Sequence, residues 1–128
     1  MSPIPICFLE PNHTFRQLAV EALRYAFSAE ITLLSAGDTW PLPVCPSVLP
    51  EAVLLGLGAE GLVNAPLLAA IQAALPGVPV IVLGHLDDAA YRVAALAAGA
   101  TAFVSKDALS SELVPALRRH TRHQREQP

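Results

Sequence analysis

Three side chains that could bind an ion or exchange a proton follow apolar runs at separate places in the sequence. Glu10 comes after the first run, His85 after the fourth, and Lys106, the only lysine of the chain, after the fifth. A carboxylate, an imidazole and an ammonium group held together could bind a small anion or respond to pH. Lys106 could equally form an ion pair with Glu10 that closes an empty pocket. His85 could also be an ordinary packed or solvent-facing loop residue.

Five short apolar runs, rich in β-branched and aromatic residues, predict buried strands. They are Pro3–Leu9, Glu30–Ser35, Ala52–Leu57, Val78–Leu83 and Thr101–Ser105. The helical spacing of apolar residues between the runs predicts helices, which begin at Asn12, His13 or Thr14, at Asn64, at Asp87 or Asp88, and at Ser110. Pro115 indicates that the last helix is bent or starts late, because proline lacks the N–H group that a helix interior needs.

The alternation of strands and helices predicts the fold class. Buried strands that alternate with helices form βαβ units, which give a parallel sheet between layers of helices. Five such strands in 128 residues indicate an α/β protein with a flavodoxin-like, doubly wound five-stranded parallel sheet of order 2-1-3-4-5. Residues 39–50 contain four prolines, so the second helix is expected to be shortened or replaced by a Pro-rich loop. In this fold the carboxyl ends of the strands share one edge, where Glu10, His85 and Lys106 are expected to lie.

Composition excludes several classes of protein. Hydrophobic residues make up 53% of the chain and charged residues only 15%, which is the reverse of the pattern in disordered proteins. Two cysteines are too few for a disulfide scaffold, and no apolar stretch reaches the roughly 18 residues of a membrane helix. We therefore expect a cytoplasmic domain over residues 1–119, followed by a basic tail over residues 120–128. The tail could touch nucleic acid or an acidic partner, or it could be a solvated helix end.

Four stretches of the chain resemble the receiver domain of two-component response regulators. They are Leu9–Arg16 (LEPNHTFR), Leu49–Leu57 (LPEAVLLGL), Gly77–His85 (GVPVIVLGH) and Ala97–Lys106 (AAGATAFVSK). The likeness runs from about Ile4 to Arg119, and the last stretch is the most specific because its apolar order, glycine and lysine all match.

The resemblance implies that the phosphorylation site is incomplete. Receivers bind Mg²⁺ with an acidic pair after the first strand; Glu10 keeps one acid, and Pro11 replaces the other. The aspartate that accepts the phosphoryl group is matched by Gly56, which cannot form an aspartyl phosphate. Magnesium sites normally use one or two carboxylates together with phosphate oxygens, so Mg²⁺ binding is expected to be weak or absent. No cofactor, metal site or catalytic residue is predicted, and the chain is not expected to be an enzyme.

Three further receiver positions can be matched. Receivers have a serine or threonine at the end of the fourth strand whose hydroxyl group responds to the phosphate, and Gly84 stands at that position. The aromatic switch position is matched by Phe103, and the phosphate-binding lysine by Lys106. Together with Glu10, Pro11, Gly56 and His85, Gly84 and Lys106 would form a vestigial pocket. Phe103 could also be an ordinary core residue. The resemblance is therefore to a degenerate receiver, or pseudo-receiver.

A contact surface is predicted on the helix over residues 89–98, which corresponds to the fourth helix of receivers. This helix has few polar residues, and its candidate contact residues are Tyr91, Arg92, Ala95 and Leu96. In receivers the fourth helix, fifth strand and fifth helix form the usual dimer and effector face, so a protein partner or a homodimer is expected there. The alternative is that small alanines simply cover a solvent-facing helix.

The predicted function is signal transduction or transcriptional regulation through protein–protein contact, without aspartyl phosphorylation. The alternative is a small-molecule or anion sensor that uses the pocket at the carboxyl edge of the sheet. No membrane contact is expected, and nucleic acid would be bound only through a separate output domain.

Overall fold

The five predicted strands form one parallel sheet. The computed structural model describes residues 3–42, 48–58, 61–85 and 89–121. Its strands are β1 (Ile4–Leu9), β2 (Ile31–Gly37), β3 (Ala52–Gly56), β4 (Val80–Gly84) and β5 (Ala102–Ser105). Every neighbouring pair is parallel, and the order is β2-β1-β3-β4-β5. The predicted doubly wound α/β fold and its strand order are therefore confirmed.

Four α-helices are present in the described part of the chain: α1 (His13–Glu21), α2 (Ala65–Ala74), α3 (Ala89–Ala97) and α4 (Leu109–His120). A π-helical turn, Ala22–Ala26, extends α1, and a 3-10 turn, Lys106–Ala108, precedes α4. Between β2 and β3, residues 38–42 and 48–51 form no helix, as the prolines of this segment predict; residues 43–47 lie outside the described part. None of the described helices has the length and apolarity needed to cross a membrane.

Asparagine side chains start two of the helices. Asn12 caps α1, since its Oδ1 accepts the N–H of Phe15 at 2.9 Å, which selects one of the three predicted starting residues. Asn64 caps α2 in the same way, at 3.1 Å from the nitrogen of Leu67. The predicted caps of α3, Asp87 and Asp88, lie outside the described residues.

The last helix begins earlier than Pro115 suggests. Helix α4 starts at Leu109 and contains Pro115 in its interior, so the predicted late start is wrong. The chain enters the helix through the preceding 3-10 turn, where Ser105 Oγ accepts the N–H of Asp107 at 3.2 Å. The 3-10 turn and the first residues of α4 are therefore already helical before the chain reaches Pro115.

Two strand boundaries differ from the prediction by two residues, and hydrogen bonding explains both. Strand β2 continues through Gly37, because Ala36 and Gly37 still pair with Phe8 and Leu9 of β1. Strand β4 starts at Val80 rather than at residue 78, since Pro79 has no N–H group to donate to a neighbouring strand.

The core consists of two layers, one on each face of the sheet. Alternate residues of β1 point to opposite faces: Ile6 and Phe8 belong to the layer that contains residues of α1 and α4. Cys7 and Leu9 belong to the layer that contains residues of α2 and α3. Strands β3 and β4 are buried along their whole length, as expected for central parallel strands covered on both faces. This rigid sheet holds the ends of β1, β3, β4 and β5 side by side.

Candidate functional site

An ion pair occupies the carboxyl edge of the sheet. Lys106 Nζ lies 2.8 Å from Glu10 Oε1, and the exposed fractions of the two side chains are 1% and 0%. The Oε1 atom accepts no hydrogen bond of favourable geometry, so we describe the contact as a charge–charge interaction. Of the three residues predicted to meet at this edge, the structure brings these two together.

The surroundings of Lys106 satisfy its ammonium group within the protein. Nζ donates to the backbone carbonyl oxygen of Leu57 at 3.0 Å, and it lies 4.6 Å from the centre of the Phe15 ring. A cation placed over an aromatic face is stabilised by the ring quadrupole. The ammonium group therefore faces a carboxylate, a carbonyl and an aromatic ring, and its burial favours the closed ion pair over a site for an external anion.

Hydrogen bonds also fix the side chain and the backbone of Glu10. Its Oε2 accepts the N–H of Asn12 at 2.9 Å, and its backbone oxygen accepts a hydrogen bond from Arg16 Nη1 at 2.7 Å. Pro11 lies between these contacts with an exposed ring and adds no carboxylate. The carboxylate of Glu10 is therefore directed into the sheet edge and away from solvent.

Gly56 leaves the space that the Glu10 carboxylate fills. A β-carbon built on Gly56 would lie 1.8 Å from Glu10 Oε1 and 2.5 Å from Glu10 Cδ. Real atoms do not approach so closely, so any side chain at residue 56 would require the carboxylate to move. Gly56, which the receiver resemblance matches to the phosphoacceptor aspartate, has no side chain, and the carboxylate of Glu10, the residue after β1, occupies the adjacent space.

The described residues do not fit a magnesium site. No group of three or more His, Cys, Asp or Glu side chains able to hold a metal occurs in the described ranges. Glu10, the one acid retained at the matched positions, is paired with Lys106. A hard cation such as Mg²⁺ needs oxygen ligands that are free to turn toward it, and this carboxylate is not.

A second close approach links β4 and β5. A β-carbon on Gly84 would lie 2.7 Å from Phe103 Cζ, and Phe103 is buried, with 5% of its surface exposed. The guanidinium of Arg92 lies 4.8 Å from the centre of this ring, and its Nη1 donates to the Phe103 carbonyl oxygen at 3.0 Å. The ring thus occupies the space next to residue 84, and Arg92 holds it there from α3.

His85 lies at the rim and not in the ion pair. Half of its side chain is exposed, and its Nδ1 is 4.0 Å from Asp107 Oδ1. Its ring meets the Phe15 ring edge-on at 5.9 Å between centres. Because the carboxylate of Asp107 is also largely exposed, this contact is a weak surface interaction.

The predicted contact residues on α3 do not all face solvent. Leu96 is exposed, and Tyr91 and Arg92 are half-buried. Ala95 is buried and packs in the core layer with α2, so it does not belong to the exposed face. Val93, which the sequence interpretation did not select, is 64% exposed. Periodicity along α3 could have found it, since it lies three residues before Leu96.

A cavity lies beside the ion pair, at the sheet edge where the sequence predicts a pocket, and of the six predicted pocket residues Pro11 and Gly56 line it. It has a volume of about 660 Å³ and lies between the carboxyl ends of β1 and β3, the loop after β2 and helix α2. Trp40, in the Pro-rich segment, forms part of its wall and is half-buried. The sequence signal for this part of the wall is the set of four prolines in residues 39–50, which predicts that the second helix is shortened or replaced by a loop.

Two further features of the sequence, the Cys7 thiol and the basic tail, lie away from this site. The thiol of Cys7 is buried, and this burial raises its pKa. The basic tail predicted for residues 120–128 is described only at His120 and Thr121; residues 122–128 lie outside the described part of the chain. The second cysteine of the sequence, Cys45, also lies outside it.

Comparison with known proteins shows which solved structures share this fold. No family model matches the sequence, and no curated protein matches it. Among solved structures, FixJ-N superposes with a TM-score of 0.70 at 17% identity, over 96% of this chain and 97% of that one. The receiver domain of the putative response regulator NarL from Mycobacterium tuberculosis gives a TM-score of 0.67 at 22% identity, over 91% and 94% of the two chains. The BeF3-activated N-terminal receiver domain of Klebsiella pneumoniae RstA gives 0.64 at 23% identity, over 92% and 98%. The chain therefore has the fold of response-regulator receiver domains.

Proposed function

We propose that this chain is a receiver-like signalling domain that acts through protein–protein contact and is not phosphorylated on an aspartate. The observation that carries the proposal is the contact between Gly56 and Glu10. The glycine offers no acceptor, and the buried carboxylate beside it is neutralised by Lys106 at 2.8 Å. A nucleophilic carboxylate needs access to its phosphodonor, and this one has no exposed surface.

The same geometry implies one resting conformation. In a two-state domain, a ligand shifts the equilibrium only by binding the two states with different affinities. Here the space beside Gly84 is filled by Phe103, which Arg92 holds through its ring and its carbonyl oxygen. Residue 56 carries no phosphoryl group and residue 84 has no hydroxyl group, so neither can move the Phe103 ring. The ring therefore stays in its buried position. We assign no catalytic step to the domain.

A partner face is part of the proposal. Strand β5 contacts both helix α3 and helix α4, and α3 presents Val93 and Leu96 to solvent. Exposed apolar side chains on one helix face are typical of interaction sites. We therefore assign self-association or partner binding to this face, with any nucleic-acid contact left to a separate output domain.

Phosphotransfer is tested by incubating the protein with acetyl phosphate and Mg²⁺ and measuring its intact mass. The expected result is no phosphate adduct, while a receiver domain that retains its phosphoacceptor gains one under the same conditions. An adduct on this chain, located by peptide mapping, would overturn the proposal.

The contact face is tested by sedimentation of the protein and of two arginine variants. Leu96→Arg introduces a charge on the proposed face and should reduce self-association. Ala73→Arg places the same charge on an exposed position of α2 and should leave self-association unchanged. If the unmodified protein and both variants sediment as identical monomers, the homodimer is excluded.

A further inference from the structure

The cavity between β1, β3 and α2 has the size and position of a ligand site. Its volume is about 660 Å³, within the range of roughly 300–1,000 Å³ that is usual for small-molecule pockets. It lies where the strand order reverses, since β1 is flanked by β2 and β3. Doubly wound folds bind ligands at such a reversal, outside the carboxyl ends of the strands.

The cavity wall is mainly apolar. Leu9 and Leu55 from the strand ends form part of it, together with Trp40, Leu67 and Ala70. Pro11 and Gly56, which stand where a phosphorylated receiver would have acids, also line it. At both positions a carboxylate is absent, so the surface that faces the cavity is uncharged there.

The side chains of the neighbouring ion pair do not line the cavity. Glu10 and Lys106 are not among its lining residues, and their side chains have almost no exposed surface. Leu57 lies between the two features, because it lines the cavity while its carbonyl oxygen accepts the hydrogen bond from Lys106. An occupant of the cavity would therefore contact the residue that anchors the lysine.

The polar and charged side chains of the cavity wall disfavour an anionic occupant. Asp38 is the one charged side chain among the described lining residues, and it is exposed at the mouth of the cavity. No lysine, arginine or histidine lines the described wall, so an anion would find no counter-charge. Asn64 also lines the cavity, but its Oδ1 already caps α2.

We propose that this cavity binds a flat, mainly apolar organic molecule that is neutral or positively charged. Trp40 offers an aromatic surface on which such a molecule can stack, and a positive group is favoured both by that ring and by Asp38. The site goes beyond the proposed function and does not depend on it, because the cavity can bind a molecule whatever the outcome of the phosphorylation test.

Trp40 is the only tryptophan of the chain, so quenching of the protein's tryptophan emission can be assigned to this residue of the cavity wall. Two dyes with the same aromatic skeleton serve as probes: neutral N-phenyl-1-naphthylamine and anionic 1-anilinonaphthalene-8-sulfonate. The expected result is saturable, one-to-one binding of the neutral dye with quenching of Trp40 emission. The sulfonate should bind at least about tenfold more weakly. Equal affinity for the two dyes, or no saturable quenching, would overturn the proposal.

A matched pair of variants locates the binding site. Ala70 lines the cavity and Ala69 does not, while both are exposed residues of α2. Leucine and alanine are both good helix formers, so each substitution should leave the helix intact, as circular dichroism can check. Ala70→Leu narrows the cavity and should weaken the binding of the neutral dye by about tenfold or more, whereas Ala69→Leu should have no effect. Equal effects of the two variants would place the dye elsewhere and contradict the inference.

Asp38→Asn tests the charge preference separately. Removing the carboxylate should reduce the difference in affinity between the two dyes. The sulfonate should bind more tightly, because the Asp38 carboxylate no longer repels it at the mouth of the cavity. The affinity of the neutral dye should remain the same. An unchanged difference between the dyes would show that Asp38 does not select the charge of the occupant.

Discussion

Replacing Gly56 with alanine should break the buried ion pair, because the new methyl group needs the space of the Glu10 carboxylate. The methyl carbon would lie 1.8 Å from Glu10 Oε1 and 3.1 Å from Oε2. Contacts below 3.0 Å are essentially never found for a real β-carbon. The carboxylate therefore has to move away by more than 1 Å.

A surface glutamate would turn aside at little cost, but Glu10 cannot. It is fully buried, its Oε2 holds the N–H of Asn12 and its Oε1 faces Lys106. Displacement would leave the lysine buried with the carbonyl of Leu57 and no counter-charge. Separating a buried pair in this way costs about 3–5 kcal/mol, a large part of the roughly 5–15 kcal/mol that stabilises a typical domain.

Urea unfolding at pH 7, followed by circular dichroism and Trp40 fluorescence, measures this cost. The matched control is Gly58→Ala, since a β-carbon on Gly58 meets no atom within 4 Å. We expect Gly56→Ala to lower the free energy of unfolding by about 3–5 kcal/mol and Gly58→Ala to change it by less than about 0.5 kcal/mol.

A double-mutant cycle separates loss of the ion pair from general disruption. Gly56→Asp alone should be strongly destabilising, because the new side chain overlaps Glu10 and repeats its charge. Glu10→Ala alone leaves Lys106 unpaired. The double variant returns one carboxylate to the lysine and should recover at least about 2 kcal/mol relative to Gly56→Asp. If the two losses simply add, or if Gly56→Ala is as mild as Gly58→Ala, our account of this site is refuted.

Three further predictions concern the packing of the domain. Gly84→Thr should displace the Phe103 ring, 2.7 Å from the new β-carbon, and cost about 1–3 kcal/mol in urea unfolding; a fully additive loss on combination with Phe103→Ala would contradict this. Burial raises the pKa of the Cys7 thiol from 9.0, so in a Cys45→Ser background a thiol reagent should label the folded protein far more slowly than the unfolded one. For the same reason, the free energy of unfolding should fall as pH rises above about 9, since only the unfolded thiol ionises there; a flat profile would argue against it. Asn64→Ala removes the cap of α2 and should cost about 1 kcal/mol in the same unfolding assay, and an unchanged midpoint would show that the cap is dispensable.

The order of the strands could be predicted because it depends on patterns within short segments. Continuous apolar runs such as Ala52–Leu57 are typical of central parallel strands, and their alternation with helices leaves few topologies open. The start of α1 was left open among three residues, and the geometry of Asn12 resolved it. The boundaries of β2 and β4 depend on which partner each N–H group finds, and no single segment contains that information.

The burial of Ala95 was missed because composition cannot tell the two sides of an alanine-rich helix apart. Helix α3 is apolar almost all round, so the sequence indicated a contact surface without its orientation. The packing of α3 against the sheet turns Ala95 inward and leaves Val93 and Leu96 outside.

By itself, the sequence determined that Gly56 offers no phosphoacceptor. It also predicted that Glu10 and Lys106 follow strands whose carboxyl ends share one edge of the sheet, and that the second helix is shortened or replaced by a loop. These conclusions follow from the chemistry of single residues and from local periodicity. Only the tertiary structure decided between an open anion pocket and a closed ion pair, because that choice depends on where two long side chains turn. It also showed the cavity at the strand reversal and the residues that form its wall. Empty space between distant segments is a property of their packing, and no stretch of sequence contains it.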